Sequence, residues 1–262
     1  MSIDRRKVAE AFKEYTDQYD PEDEKIHLKI LHTGKVAMIS EQIATSIGLS
    51  ENDVDLAWTI GMLHDIGRFE QVRRFGTFMD KLSVNHAEFG ADILFSDGLI
   101  ANFGSEGMTE EELSLIETSI RQHNRYRIDE GLTGRQKMFC NIIRDADKVD
   151  IIRVNVESTP EAIYGVTAED LETSSITPAV MENFRQEICV SRDLRKTPAD
   201  FLVGHVSFVF ELVYPESVRI AVQQGHIFEL LEFRSSNRET AELFKEIGDI
   251  MRNNLRNREQ EK

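Results

Sequence analysis

The sequence predicts an all-α protein, and three features carry that expectation. Apolar residues recur three and four positions apart in segment after segment, helix-cap signatures stand at the ends of those segments, and no stretch alternates apolar and polar residues as a half-buried strand does. Only 5 prolines and 15 glycines occur in 262 residues, so little interrupts helices, and a hydrophobic content of 40% suffices for a substantial core.

The elements follow in order. The first 24 residues are highly charged, with Phe12, Tyr15 and Tyr19 as scattered anchors, and read as a short helix and a turn at Asp20-Pro21. From Lys25 to Ile47 an apolar stripe (Leu28, Leu31, Val36, Ile39, Ile43, Ile47) ends at Gly48, a fitting C-terminal cap. Ser50 reads as an N-cap for a helix through Val54, Leu56, Ile60 and Leu63 into His64-Asp65, with Gly67 permitting that helix to loosen or end. Ser83 to Ala91 opens another helix with His86 in its first turn. Thr109-Glu110-Glu111-Glu112 is a capping-box signature before a stripe leading to His123. Met138 to Val154 is apolar nearly all round, yet holds Asp145, Asp147 and Asp150.

Residues 155 to 196 read as short helices and loops. Thr197-Pro198-Ala199-Asp200 starts a helix that Pro215 should end, and amphipathic helices are expected from about Ser217 to Phe233 and Ser236 to Asn257. The expected organisation is a single all-α domain over residues 1–262, with a core at about 24–155 and covering helices at about 156–262.

Charge narrows the function. Asp plus Glu outnumber Lys plus Arg by 47 to 31, a formal net charge of −16, which disfavours long nucleic acids and anionic membranes as partners. The charged segment Met1 to Glu10 lacks the apolar run of a secretory signal, and the longest apolar run, Phe201 to Tyr214, is too short to span a bilayer. Cys140 and Cys189 form no paired motif, so neither a zinc ribbon nor a disulfide framework is indicated; a cytoplasmic location is expected, and oligomeric state is not encoded legibly.

Against this background, His32, His64, Asp65, His86, His123 and Asp147 each interrupt or border an apolar face. A core histidine is inexpensive when both ring nitrogens are bonded, but an ionised aspartate is rarely buried unless paired or bound to a metal. Four histidines and two aspartates converging in a helical bundle would be costly without a compensating ion. His27, His205 and His226 read instead as core histidines satisfied by backbone carbonyls. Arginines gather near the set: Arg68, Arg73 and Arg74 after His64-Asp65, and Arg121, Arg125, Arg127 and Arg135 around His123. Their guanidinium forks match phosphate oxygens.

The order His32, His64-Asp65, then Asp147 within Ala146-Asp147-Lys148 resembles the HD superfamily of metal-dependent phosphohydrolases over roughly residues 24 to 155. The resemblance implies the HD-domain helical bundle, here with additional C-terminal helices. It implies one divalent ion on His32, His64, Asp65 and Asp147, and a second on His86 and His123 with Asp65 bridging. His-rich ligation without thiolate suits Fe, Mn, Co, Ni or Zn. Two subfamilies do not fit: His123 is followed by Asn124-Arg125-Tyr126 rather than by the second histidine and Gly-Tyr-Pro segment of cyclic-dinucleotide phosphodiesterases, and Arg68-Phe69 replaces the Glu-Asp of alarmone hydrolases.

The expected activity is hydrolysis of a phosphate ester or anhydride of a small molecule, such as a nucleotide, by metal-activated water, as a phosphohydrolase or phosphodiesterase. Asp65 and Arg68 are the expected catalytic residues, with Arg68 and Arg125 binding substrate. Two alternatives differ in class: a non-catalytic nucleotide- or protein-binding signalling module on the same scaffold, and a His-rich di-iron oxygenase.

Overall fold

The computed structural model describes residues 3–260, and no strand occurs among them. The described chain falls into two compact units divided between Asp147 and Lys148. The first comprises α1 (Arg5–Thr16), α2 (Glu24–Ser46), α3 (Glu51–Leu63), α4 (Ile66–Phe75), α5 (His86–Ala91), α6 (Glu110–Gln122) and the start of α7 (Gly134–Glu157), within which the division falls. The second holds the rest of α7, α8 (Pro160–Tyr164), α9 (Ala168–Thr173), α10 (Pro178–Arg185), α11 (Pro198–Val206), α12 (Pro215–Gln224), α13 (His226–Leu231) and α14 (Arg238–Gln260). Among the described residues no helix is long and apolar enough to cross a membrane.

Local chemistry sets the helix ends that matter. Ser50 Oγ accepts from the Asp53 amide and starts α3; Thr109 and Glu112 form the reciprocal capping box of α6. Gly48 and Gly76 take positive φ at the ends of α2 and α4, a conformation that disfavours side chains bearing a Cβ. In the first unit α2 packs along α3, and α5 packs on both α4 and α6.

Two of these contacts are made backbone to backbone. A Cβ at Gly61 would lie 2.5 Å from the Ala37 Cα, so α3 can approach α2 there only as glycine. A Cβ at Gly67 would lie 2.5 Å from the His86 carbonyl oxygen and 2.7 Å from the Gly90 nitrogen, at the crossing of α4 and α5. Leu56, Ile60, Leu63, Ile66, Phe69, Ile116, Ile120 and Phe139 are fully buried in the core of this unit. Each such side chain contributes about 1.5–3 kcal/mol by leaving water.

Several boundaries depart from the sequence reading. The helix through Leu63 does not carry on to Gly67: α3 ends at His64, Asp65 turns at φ −106° and ψ 17°, and α4 begins at Ile66. The segment from Pro198 stops at Val206 and tightens into a 3-10 turn at Ser207–Glu211, with Ser207 Oγ donating to the Gly204 carbonyl and accepting from the Val190 amide. Pro215 opens α12 at its first turn instead of ending α11. The helix expected from Ser217 to Phe233 is two helices, α12 and α13, separated by Gly225 at φ 79°. Nor are three histidines core groups: His27 is exposed, while half-buried His205 and His226 meet Asn155 and Glu229.

Candidate metal centre

The six candidate ligands come from six elements of the first unit, four of them at helix ends. His64 caps the C-terminus of α3 and Asp65 starts α4; His86 is the first residue of α5, behind Asn85 as N-cap; His123 caps the C-terminus of α6. His32 and Asp147 lie within α2 and α7. A helix end frees the side chain from the helix's own crowded surface, and the turn at Asp65 lets two adjacent residues point into one site.

All four histidines and Asp65 are at most 4% exposed. His64 Nδ1 lies 2.7 Å from the Gly61 carbonyl, and His123 Nδ1 2.7 Å from the Ile120 carbonyl. His86 Nδ1 lies 2.8 Å from an Asp80 carboxylate oxygen. A carbonyl or ionised carboxylate only accepts, so each of these nitrogens carries the proton and donates it. The Nε2 atoms therefore present lone pairs inward.

Those lone pairs converge on Asp65 from two sides. Its Oδ2 lies 3.7 Å from His32 Nε2 and 3.6 Å from His64 Nε2, while Asp147 Oδ1 stands 3.1 Å and 3.8 Å from the same two atoms. Its Oδ1 lies 3.5 Å from His86 Nε2 and 3.7 Å from His123 Nε2. Thus one carboxylate faces two pairs of imidazoles, one pair per oxygen.

Burial and charge act together on these groups. Burial depresses the pKa of His64 to about 4 and that of His86 to about 3, in the latter case with help from the Arg68 charge. His123 is lowered as well, again chiefly by burial. Burial alone would raise Asp65, but Lys29, His64, Arg68 and His86 overcome it and hold the carboxyl well below its usual range. Asp147 is lowered in the same way, against burial, by His32 and its neighbouring histidines.

The donors fit a divalent ion. Ligand atoms of His32, His64 and Asp147, and likewise of His64, Asp65 and His123, lie within 4.8 Å of one another. His64 Nε2 has no hydrogen-bond partner although fully buried. His86 Nε2 and His123 Nε2 stand 3.0 Å apart. With both Nδ1 protons committed, two lone pairs face each other, an arrangement that repels unless a cation accepts both. Neutral imidazole and carboxylate are the donors that divalent transition metals prefer.

Other residues that the sequence reading did not single out support this set. Asp80, from the loop after α4, accepts from His86 Nδ1, Gln71 Nε2 and Arg68 Nη1, with both Asp80 oxygens within 2.9 Å of His86. Those contacts lower its pKa despite burial. A carboxylate behind a ligating histidine fixes the ring and raises its basicity. Buried Arg144 donates to the carbonyls of Gln122, His123, Arg125 and Tyr126, and so holds the chain on either side of His123. Lys29 Nζ lies 2.6 Å from Asp65 Oδ2. Its spacing three residues before His32 put it beside the ligand stripe, a signal available in the sequence. Asp80 had no such signal, because its reach depends on the loop's path.

Arg68 and Arg125, the expected substrate-binding residues, stand in different surroundings. Arg68 is 11% exposed; Nη1 donates to Gln71, the Phe78 carbonyl and Asp80, while buried Nε lies 3.7 Å from Asp65 Oδ1 without a hydrogen-bond partner. Arg125 is 41% exposed, and its guanidinium engages Glu88 and Asp129.

A family model for the HD domain matches residues 30–152, a span that includes all six candidate ligands. No curated protein sequence and no solved structure matches the chain. The ordered candidate ligands, the all-helical architecture and this match agree: residues 30–152 form a domain of the HD superfamily, whose members are mostly metal-dependent hydrolases.

Proposed function

We propose that the protein is a metal-dependent phosphohydrolase or phosphodiesterase acting on a small phosphorylated molecule such as a nucleotide. The observation that carries this reading is the Asp65 carboxylate, which turns one oxygen toward His32 and His64 and the other toward His86 and His123. His32, His64, Asp65 and Asp147 would hold one divalent ion of the Fe, Mn, Co, Ni or Zn group, and His86 and His123 with Asp65 a second. Ions so held supply Lewis acidity toward a phosphoryl oxygen and a nucleophilic water at neutral pH.

The chain's own residues define what else the site does. Nδ1 protons locked on Gly61, Ile120 and Asp80 keep three imidazoles in the ligating tautomer. Arg68, pinned through Nη1, presents Nε beside Asp65 and orients an anionic substrate while offsetting charge that develops in the transition state. A guanidinium suits anion binding rather than proton donation. A strongly acidic chain repels long polyanions, whereas the local cations favour a small one.

Metal analysis of protein purified without chelator, followed by a screen of phosphomonoesters, nucleotides and cyclic dinucleotides with Mn(II), tests the reading. Release of phosphate or a phosphomonoester supports it. Oxygen consumption with Fe(II) and no phosphate chemistry overturns it in favour of an oxygenase, and silence in both assays favours a binding module. Within the active protein, Arg68→Ala should weaken kcat/KM by about 1.5–3 kcal/mol with metal content unchanged.

A further inference from the structure

Lys29 is an unusual cation in this molecule. Its side chain is 12% exposed, rises from α2 one turn before His32, and ends 2.6 Å from Asp65 Oδ2. That oxygen is the one turned toward His32 and His64. Its ammonium also lies 5.3 Å from the centre of the Phe78 ring, which Arg68 approaches to 5.6 Å. Lys29 and Arg68 therefore stand on either side of the Asp65 carboxylate, one at each oxygen, and share one aromatic neighbour.

The two cations differ in freedom. Arg68 Nη1 is tied to three acceptors at 2.7 to 2.9 Å. For Lys29 the structure gives a single carboxylate contact and an aromatic face, at the end of a flexible four-carbon stem. An ion held by His32, His64 and Asp147 would draw on the oxygen that the ammonium uses, and like charge would push the two apart. A stem rooted one turn from His32 keeps the displaced ammonium at the site, with the Phe78 face as a seat.

We propose that Lys29 is a phosphoryl-binding residue of this site: once an ion claims Asp65 Oδ2, its ammonium turns to a non-bridging oxygen of the substrate's phosphoryl group. The assignment rests on the phosphohydrolase reading and adds to it a second substrate-binding cation, on the Oδ2 side of Asp65. It also makes Lys29 an internal competitor of the ion, which gives the idea a signature independent of turnover.

The test uses the full chain, stripped of metal and titrated calorimetrically first with Mn(II) and then, Mn-loaded, with inorganic phosphate. Lys29→Met should bind Mn(II) more tightly than wild type and bind phosphate about tenfold or more weakly, the loss expected for one charge-assisted contact. Lys29→Arg should keep most of the phosphate affinity; Lys29→Gln, which loses the charge and keeps a polar stem, should show the same loss as Lys29→Met and takes its place if that variant fails to fold, with unchanged phosphate affinity again overturning the assignment. Unchanged phosphate affinity in Lys29→Met, with wild type binding phosphate, overturns the Lys29 assignment and leaves the hydrolase reading standing. Weaker Mn(II) binding in Lys29→Met overturns it too, because Lys29 would then be a prop for Asp65. The hydrolase reading itself falls only if wild type hydrolyses no phosphate compound.

Discussion

The two faces of Asp65 are built from different materials. On the Oδ2 face a second carboxylate, Asp147, reaches the same imidazoles directly, at 3.1 Å from His32 and 3.8 Å from His64. On the Oδ1 face the second carboxylate, Asp80, is one imidazole removed: it grips His86 Nδ1 and acts through the ring. The Oδ2 face thus offers an ion two negative charges at contact, and the Oδ1 face one at contact and one behind a histidine. Charge delivered directly binds an ion more strongly, whereas charge delivered through a ligand's far side tunes that ligand. Ions held as proposed on the two faces would therefore bind with unequal strength.

The most damaging change to this comparison removes its shared member. Asp65→Ala should abolish turnover and strip metal from both faces, measured by metal analysis after desalting; retention of a full complement would mean that neither face depends on Asp65. A partial break follows. His86→Ala/His123→Ala should halve the metal content while His32, His64 and Asp147 keep their ion, and calorimetry on wild type should resolve a tighter and a weaker class. If both ions survive the double substitution, these histidines serve packing and not ligation.

Asp80→Asn sharpens the comparison without deleting a ligand. It should weaken the second class by about 10–100-fold and leave the first class unchanged, the usual cost of losing a carboxylate behind a ligating histidine. Equal weakening of both classes would deny the separation of faces.

Protonation tests the same rings without a substitution. His64 and His86 have folded-state pKa values depressed to about 4 and about 3, below the roughly 6.5 of an unfolded histidine. Between those limits the unfolded chain binds more protons, so stability rises with pH and is complete above about 6.5. Acidifying the chelated protein from pH 6.5 to 5 should cost about 2 kcal/mol for each of these residues, read as a falling midpoint in urea. A midpoint that is flat over this range would show that the two rings protonate freely in the fold.

The sequence made the convergence of the candidate ligands legible because a histidine or aspartate within an apolar stripe stands out against its neighbours. Capping chemistry was legible for the same local reason: Ser50, Thr109 and Thr197 all cap as their spacing predicts. What escaped depends on the path of the chain in space. Asp80 reaches His86 and Arg68 from a loop whose course no local rule fixes. The break at His64-Asp65 was hidden by Gly67, which looked like the breaker but serves as a contact point between helices. Pro215 carries the same ambiguity, since proline both follows one helix and opens the next.

That contact point has a consequence for how the site can drift over time. At the α4–α5 crossing, Gly67 and Gly90 bring Asp65 and His86 together through main-chain atoms, with the Ile66 methyl packed beside Gly90. The separation of the two elements is therefore gauged by hard atomic radii. The same device concentrates fragility: a single methyl at position 67 would wedge the crossing open and misplace the Oδ1 face.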